Sequence, residues 1–280
     1  MQGIVDTHVH VWNFEKAEYE WLHGNTSVLN RSYHIDEIKE ERKNAGIEYG
    51  VLVQAANNFE DTDWMLQVAQ QTDWIKGVVG WLPLTSATRT GKALEEKYLQ
   101  QKYFKGVRHL IHDEPDPQWL LQVLESLRIL SDYHLPYDVV GVLPEHIETV
   151  LKVAGKIPSL RMVFDHLNQP PLSSKEKFGR WGELMKEAAK HQNFYAKISG
   201  LGTTAKNPHW SKNDIQPYVV FVLENFGVDR CFCGGDWPVS LLAGSYSRTW
   251  AIYREVLGSL LNEEQLQKLL YQNAVDFYQL

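Results

Sequence analysis

Eight short runs rich in β-branched and aromatic residues recur along the 280-residue chain, each followed by a helical pattern or a loop. They cover 3–8, 49–55, 75–82, 104–111, 137–140, 160–164, 194–199 and 230–233. Strands separated by helix-length segments cannot pair as tight hairpins, so they read as a parallel sheet. Eight such units predict a closed (β/α)8 barrel, the TIM-barrel architecture, in a single domain spanning 1–280. An open doubly wound sheet is the competing arrangement, but the first strand–helix turn carries no G-x-G-x-x-G. No composition shift marks a linker.

The segments between the runs carry their own signals. Trp64, Met65, Val68 and Ala69 recur at helical spacing within 61–71 and form a core stripe. Pro117 predicts the first turn of a helix over 118–130, and Pro144 opens one over 145–154. Further helices are expected over 35–45, 88–100, 180–191, 216–225, 246–257 and 263–270. An insertion over 11–34 holds Trp12, Phe14, Tyr19, Trp21 and Tyr33, which either cap a site mouth or simply cover the barrel.

Composition narrows the partners. A net charge of −7 argues against a broad nucleic-acid surface, which needs a basic patch. No apolar run reaches the length of a membrane span, and no signal-peptide pattern opens the chain. Cys231 and Cys233, at i and i+2, are poorly placed for a disulfide and read as core packing. The expectation is a reduced, cytoplasmic protein acting on a small molecule. The oligomeric state is open, a homodimer included.

Barrel strands deliver the residues at their C-terminal ends to one shared pocket. His8 and His10 end the first strand, on one face and about 7 Å apart along it. His166 ends the sixth and Asp236 the eighth. Three imidazoles and a carboxylate in one cavity can bind one divalent ion such as zinc, with a position left open for water. Without metal, Asp236 can act as general base while the histidines polarise a carbonyl. Each residue has a plainer reading: Asp236 in a turn after Gly-Gly, His166 as a satisfied core histidine.

Arg108 lies inside the fourth strand and must meet an acid or a ligand, with Glu114 or Asp116 as structural candidates. His109, His112, Tyr137, Trp237 and Trp12 are further pocket candidates. Lys197 shares a face with Ser199 and is placed to orient a carboxylate. Histidines 23, 34, 134, 146 and 191 read as surface or helix residues.

Taken in order, Asp6-Thr7-His8-Val9-His10, Lys105-Gly106-Val107-Arg108-His109, Asp165-His166-Leu167, Lys197-Ile198-Ser199-Gly200-Leu201 and Gly235-Asp236-Trp237-Pro238 resemble the amidohydrolase superfamily. The resemblance runs from residue 4 to about 250 and is to amidohydrolase family 2, the sugar-lactone and pyrone-dicarboxylate lactonases. Asp113-Glu114-Pro115-Asp116 and Asp236-Trp237-Pro238-Val239 are most similar to its fucono- and rhamnonolactonase subgroup. It implies a somewhat distorted barrel, Asp236 as base, and His8, His10 and His166 holding a metal or polarising the carbonyl. Arg108 would stand near the substrate. A two-metal site would want a bridging lysine after the fourth strand and a histidine after the fifth, where Arg108-His109 and Asp138 stand instead.

Two departures stand out: Asn168-Gln169 replaces a small residue and lysine, and Gly235 replaces serine. The expected activity is opening of a sugar-derived aldonolactone by water attack. The alternatives are a metal-dependent non-oxidative decarboxylase, which would set a substrate carboxylate against Arg108, and a non-catalytic sugar-acid binding barrel.

Overall fold

A computed structural model describes residues 3–173 and 177–280. The strands are β1 Ile4–Val9, β2 Ile47–Val53, β3 Ile75–Gly80, β4 Phe104–His109, β5 Tyr137–Val139, β6 Met162–Phe164, β7 Phe194–Ile198 and β8 Cys231–Cys233. They pair in parallel in sequence order, with a helical segment covering each connection. This is the expected (β/α)8 barrel. Several strands stop one or two residues short of the apolar run, because the last residues turn into the loops that build the rim.

The β8–β1 seam closes without a regular ladder. Thr7 Oγ1 donates to the Cys233 carbonyl (2.7 Å), the Asp236 amide to that of His8 (2.7 Å), and the His10 amide to that of Trp237 (2.7 Å). Asp6 ties the seam from outside. One carboxylate oxygen accepts the amides of His8 (2.9 Å) and Gly235 (2.8 Å), the other the Tyr246 hydroxyl (2.6 Å). Gly235 gives this packing its room, since a Cβ there would lie 2.3 Å from the Tyr246 ring and 2.6 Å from the Asp6 carboxylate.

Val5, Val51, Val53, Val79, Val163 and Phe232, from five strands, meet in one apolar cluster that is the barrel interior. Phe277 and Tyr278 of the C-terminal helix Asn273–Tyr278 complete it from the strand N-terminal end. Arg161 Nη1 and Lys105 Nζ hold that helix by its last carbonyls, at 2.7 and 2.8 Å. Val5 and His8 both face inward despite odd spacing, and the β1–β2 register slips between Asp6 and Val9. Such an irregularity re-aims side chains and lets His8 and His10 point up the barrel.

The expected helix over 118–130 is broken. A 3-10 turn, Trp119–Gln122, and a helix, Leu124–Asp132, meet at Val123, whose φ of −116° is not helical. Pro117 therefore precedes a 3-10 turn. Pro144 does open its helix, Pro144–Lys156, but His146 is buried, and its Nδ1 accepts the amides of Val142 and Leu143 as a cap. Cys231 and Cys233 are free and wholly buried. Among the described residues, no helix is long and apolar enough to cross a membrane.

A buried carboxylate that loses a hydrogen-bond donor keeps its desolvation cost, about 1.5–3 kcal/mol for a bond to a charged group. Tyr246→Phe is therefore expected to destabilise the protein by about 2 kcal/mol in urea denaturation, through Asp6 at the seam.

Candidate active site at the barrel mouth

A cavity of about 360 Å³ opens at the C-terminal ends of the strands. His10, Arg108, His166 and Asp236 line it, with Trp12 on its wall. His8 lies one layer below, fully buried. Asp236 is the hub: its Oδ1 stands 3.7 Å from His8 Nε2, 3.4 Å from His10 Nε2 and 3.9 Å from His166 Nε2. The four residues come from β1, β6 and β8 loops far apart in sequence, and closure of the barrel brings them together.

The backbone that carries them is unusual. His166, Leu167, Asn168 and Gln169 run through four consecutive left-handed conformations (φ 51–55°), and Asp236 has φ 59°. Each costs roughly 1–2 kcal/mol for a non-glycine residue. Such outliers persist where surrounding structure holds them: the His166 amide donates to Ser199 Oγ (3.1 Å), and Asn168 Oδ1 accepts the Gly141 amide (3.0 Å). Gly200 lets the imidazole sit close, because a Cβ there would fall 2.4 Å from His166 Nδ1.

The far side of each ring is engaged. His10 Nδ1 lies 2.7 Å from the Val53 carbonyl and His166 Nδ1 2.8 Å from Ser199 Oγ. His8 Nδ1 faces Asp165 Oδ1 at 3.5 Å. A carbonyl only accepts, so His10 carries its proton on Nδ1 and presents a bare Nε2 lone pair to the Asp236 oxygen. Two acceptors 3.4 Å apart call for a cation between them, a proton or a metal ion. His8, His166 and Asp236 each offer a donor atom, all within 4.8 Å of one another, which fits a single ion. Arg108 Nη1 also reaches His8 Nε2 (3.3 Å), so a guanidinium shares that lone pair.

Beneath lies a wholly buried ionic cluster. Lys197 Nζ is 2.7 Å from both Asp138 Oδ2 and Asp165 Oδ1. Arg108 Nη1 meets Asp165 Oδ2 at 3.1 Å, and its Nη2 donates to the Gln54 carbonyl. Burial acts first on every group here. It raises Asp138 to about 6, since Lys197 only partly offsets the desolvation and Asp165 adds to it. Asp165 is instead held well below the usual carboxylate range, because Lys197, His8 and Arg108 together outweigh its burial. Burial lowers His8 and His166, which favours neutral imidazoles.

Other expected pocket residues stand elsewhere. His109 does not line the cavity: its ring stacks on Trp119 (4.1 Å), with Nε2 on Glu114 (2.7 Å) and Nδ1 accepting from Trp81 (3.0 Å). Tyr137 is fully buried, and Trp237 packs edge-on against Tyr33, both behind the wall. The partner of Arg108 is Asp165, not Glu114 or Asp116. Lys197 does orient carboxylates. His112, Trp21, Gln169, Thr203, Thr204 and Lys206 also line the cavity. The threonines and Lys206 follow Gly200 in a stretch without a motif, so the chain alone did not single them out.

A (β/α)8 barrel with imidazoles and one carboxylate converging at its C-terminal mouth defines a class of enzymes that activate water at a His/Asp cluster. The chain belongs to the amidohydrolase family, whose sequence pattern matches residues 5–280. It is 30% identical to an L-fucono-1,5-lactonase of Burkholderia ambifaria, over 99% of this chain and 95% of that one. An L-rhamnono-gamma-lactonase of Scheffersomyces stipitis is 27% identical over 62% of this chain and 58% of its own. A crystal structure of an amidohydrolase from Burkholderia multivorans with bound zinc superimposes with a TM-score of 0.89, at 26% identity and 99% coverage of both chains.

Two tests follow. Gln169 is exposed and left-handed, so Gln169→Gly is expected to gain about 1 kcal/mol in urea denaturation. Burial lowers His109, so its stabilising contribution is present above the ordinary histidine value and is lost as pH falls through it. Asp61, raised by burial to about 6, has the opposite sign: its contribution is present at low pH and lost as pH rises through about 6. Melting temperatures between pH 4.5 and 8 should therefore show wild type gaining on His109→Gln as pH rises, and gaining on Asp61→Asn as pH falls.

Proposed function

We propose that this protein is a sugar-lactone hydrolase that opens an aldonolactone to its hydroxy acid, with Asp236 as general base. The observation that carries the reading is Asp236 Oδ1 within 3.9 Å of three imidazole Nε2 atoms on the floor of a small cavity. The lactonase activity of the relatives over nearly the whole chain supports the substrate class.

Water held at Asp236 adds to the ester carbonyl carbon, and the carboxylate takes its proton. Charge growing on the carbonyl oxygen faces the Arg108 guanidinium and the His166 ring, both in place before the reaction. The tetrahedral adduct collapses, the bond from carbonyl carbon to ring oxygen breaks, and the ring oxygen leaves with the proton Asp236 had taken. Should a divalent ion be bound, His8, His166 and Asp236 would hold it with His10 beside them, and it would supply Lewis-acid polarisation. Trp12 and Trp21 give the sugar ring an apolar wall.

The decarboxylase alternative rests on fold likeness alone, for the dihydroxybenzoate decarboxylases are 13% identical. A binding barrel without chemistry leaves the Asp236 cluster without a purpose.

The test is a panel of aldono-1,4- and 1,5-lactones followed with a pH indicator. Wild type is expected to turn over at least one of them, and Asp236→Asn to lower kcat by roughly 10²–10⁴-fold. Release of carbon dioxide without lactone opening, or an Asp236→Asn variant at the wild-type rate, would overturn the reading.

A further inference from the structure

Tyr278 belongs to the C-terminal helix and is 1% exposed. Its ring packs against Phe232 and Phe277 in the barrel interior, at 5.8 and 4.8 Å between centroids. That packing needs only a phenyl ring, and a hydroxyl brought into such a place is costly unless it is bonded. Its hydroxyl donates to Asp138 Oδ2 at 2.7 Å, while Asp138 Oδ1 has no partner. The Lys197 ammonium stands 5.5 Å over the same ring.

From there the contacts climb the barrel. Asp138 Oδ2 meets Lys197 Nζ (2.7 Å), and the same nitrogen meets Asp165 Oδ1 (2.7 Å). Asp165 faces His8 Nδ1 (3.5 Å) and Arg108 (3.1 Å), and His8 Nε2 faces Asp236 (3.7 Å). We propose that Tyr278 is a positioning residue for the reaction: it anchors the buried ionic cluster from the closed end and so fixes the aim of His8 and Arg108. The physical reason is competition for one ammonium. With the phenol bonded to it, Asp138 shares Lys197 with Asp165 on equal distances. Without the phenol, Asp138 has Lys197 alone, and the ammonium re-centres between two carboxylates of altered demand. Asp165 then shifts, and the groups hung on it shift too. A displacement of about 1 Å matters at a site that works by alignment.

The inference rests on reading the Asp236 cluster as the reacting site, so its test carries a readout that needs no substrate. Tyr278→Phe removes one oxygen and keeps the packing; Phe277→Leu disturbs the same helix and leaves the phenol in place. In lactone turnover Tyr278→Phe is expected to lower kcat about tenfold with KM within about twofold, whereas Phe277→Leu lowers the melting temperature and keeps kcat. In ¹⁵N-histidine NMR, Tyr278→Phe should move the ring-nitrogen signals of His8 and Phe277→Leu should not. Asp138→Asn cuts the same link from the other side and should reproduce the kcat loss; the double variant with Tyr278→Phe should be no slower than Asp138→Asn alone. A folded Tyr278→Phe protein with unmoved His8 signals overturns the proposal, whatever the substrate proves to be. If that variant does not fold, unmoved His8 signals in Asp138→Asn overturn it equally.

Discussion

One ammonium between two buried carboxylates is the interaction on which the rest of this molecule leans. Lys197 sits at equal distance from Asp138 and Asp165, and all three are sealed from water. Removing one partner of such a cluster strands an uncompensated charge, which typically costs about 3–5 kcal/mol. The cluster also sets the electrostatics above it. Asp165 answers to two cations, Lys197 and Arg108, and stays ionised; Asp138 answers to one and is raised. An ionised Asp165 lies 3.5 Å from His8 Nδ1, and the other nitrogen of that ring faces both Arg108 and Asp236.

The barrel seam is the second constraint. β1 and β8 are the ends of the sheet, and they meet through Asp6, Thr7 and the loop after β8. That join sets His8 and His10 against Asp236. A seam of single hydrogen bonds can bend where a regular ladder would hold the backbone straight. Left-handed residues at 166–169 and 236 occur at the same rim. The backbone strain lies where side chains must converge, and ordinary parallel pairing supports it from below.

The insertion over 11–34 joins the two halves of the sequence reading. Trp12 and Trp21 line the cavity, while Tyr19 is turned away to donate to the buried carboxylate of Asp61 (2.9 Å). Capping and covering are both served, by different aromatics of one segment. Gln169, at one of the two departures from the family pattern, also reaches the cavity.

Alternating apolar runs and helical stripes were enough to determine eight parallel strands in order, and with them which loops share a rim. His8, His10, His166 and Asp236 were legible because barrel closure sends the ends of all strands to one place. What the chain could not settle was facing. Arg108 is in the cavity and its neighbour His109 is behind it; Asp138 meets Lys197 inside while Tyr137 lies behind the wall. Successive residues on a strand take opposite faces, so a one-residue choice of phase reverses every assignment, and both members of these pairs are chemically plausible. Only the tertiary structure fixes that phase, through the slip in β1 and the register of each pair. It alone also carries the end of the chain into the barrel, where Tyr278 meets Asp138 across 140 residues of sequence, a contact with no local signature.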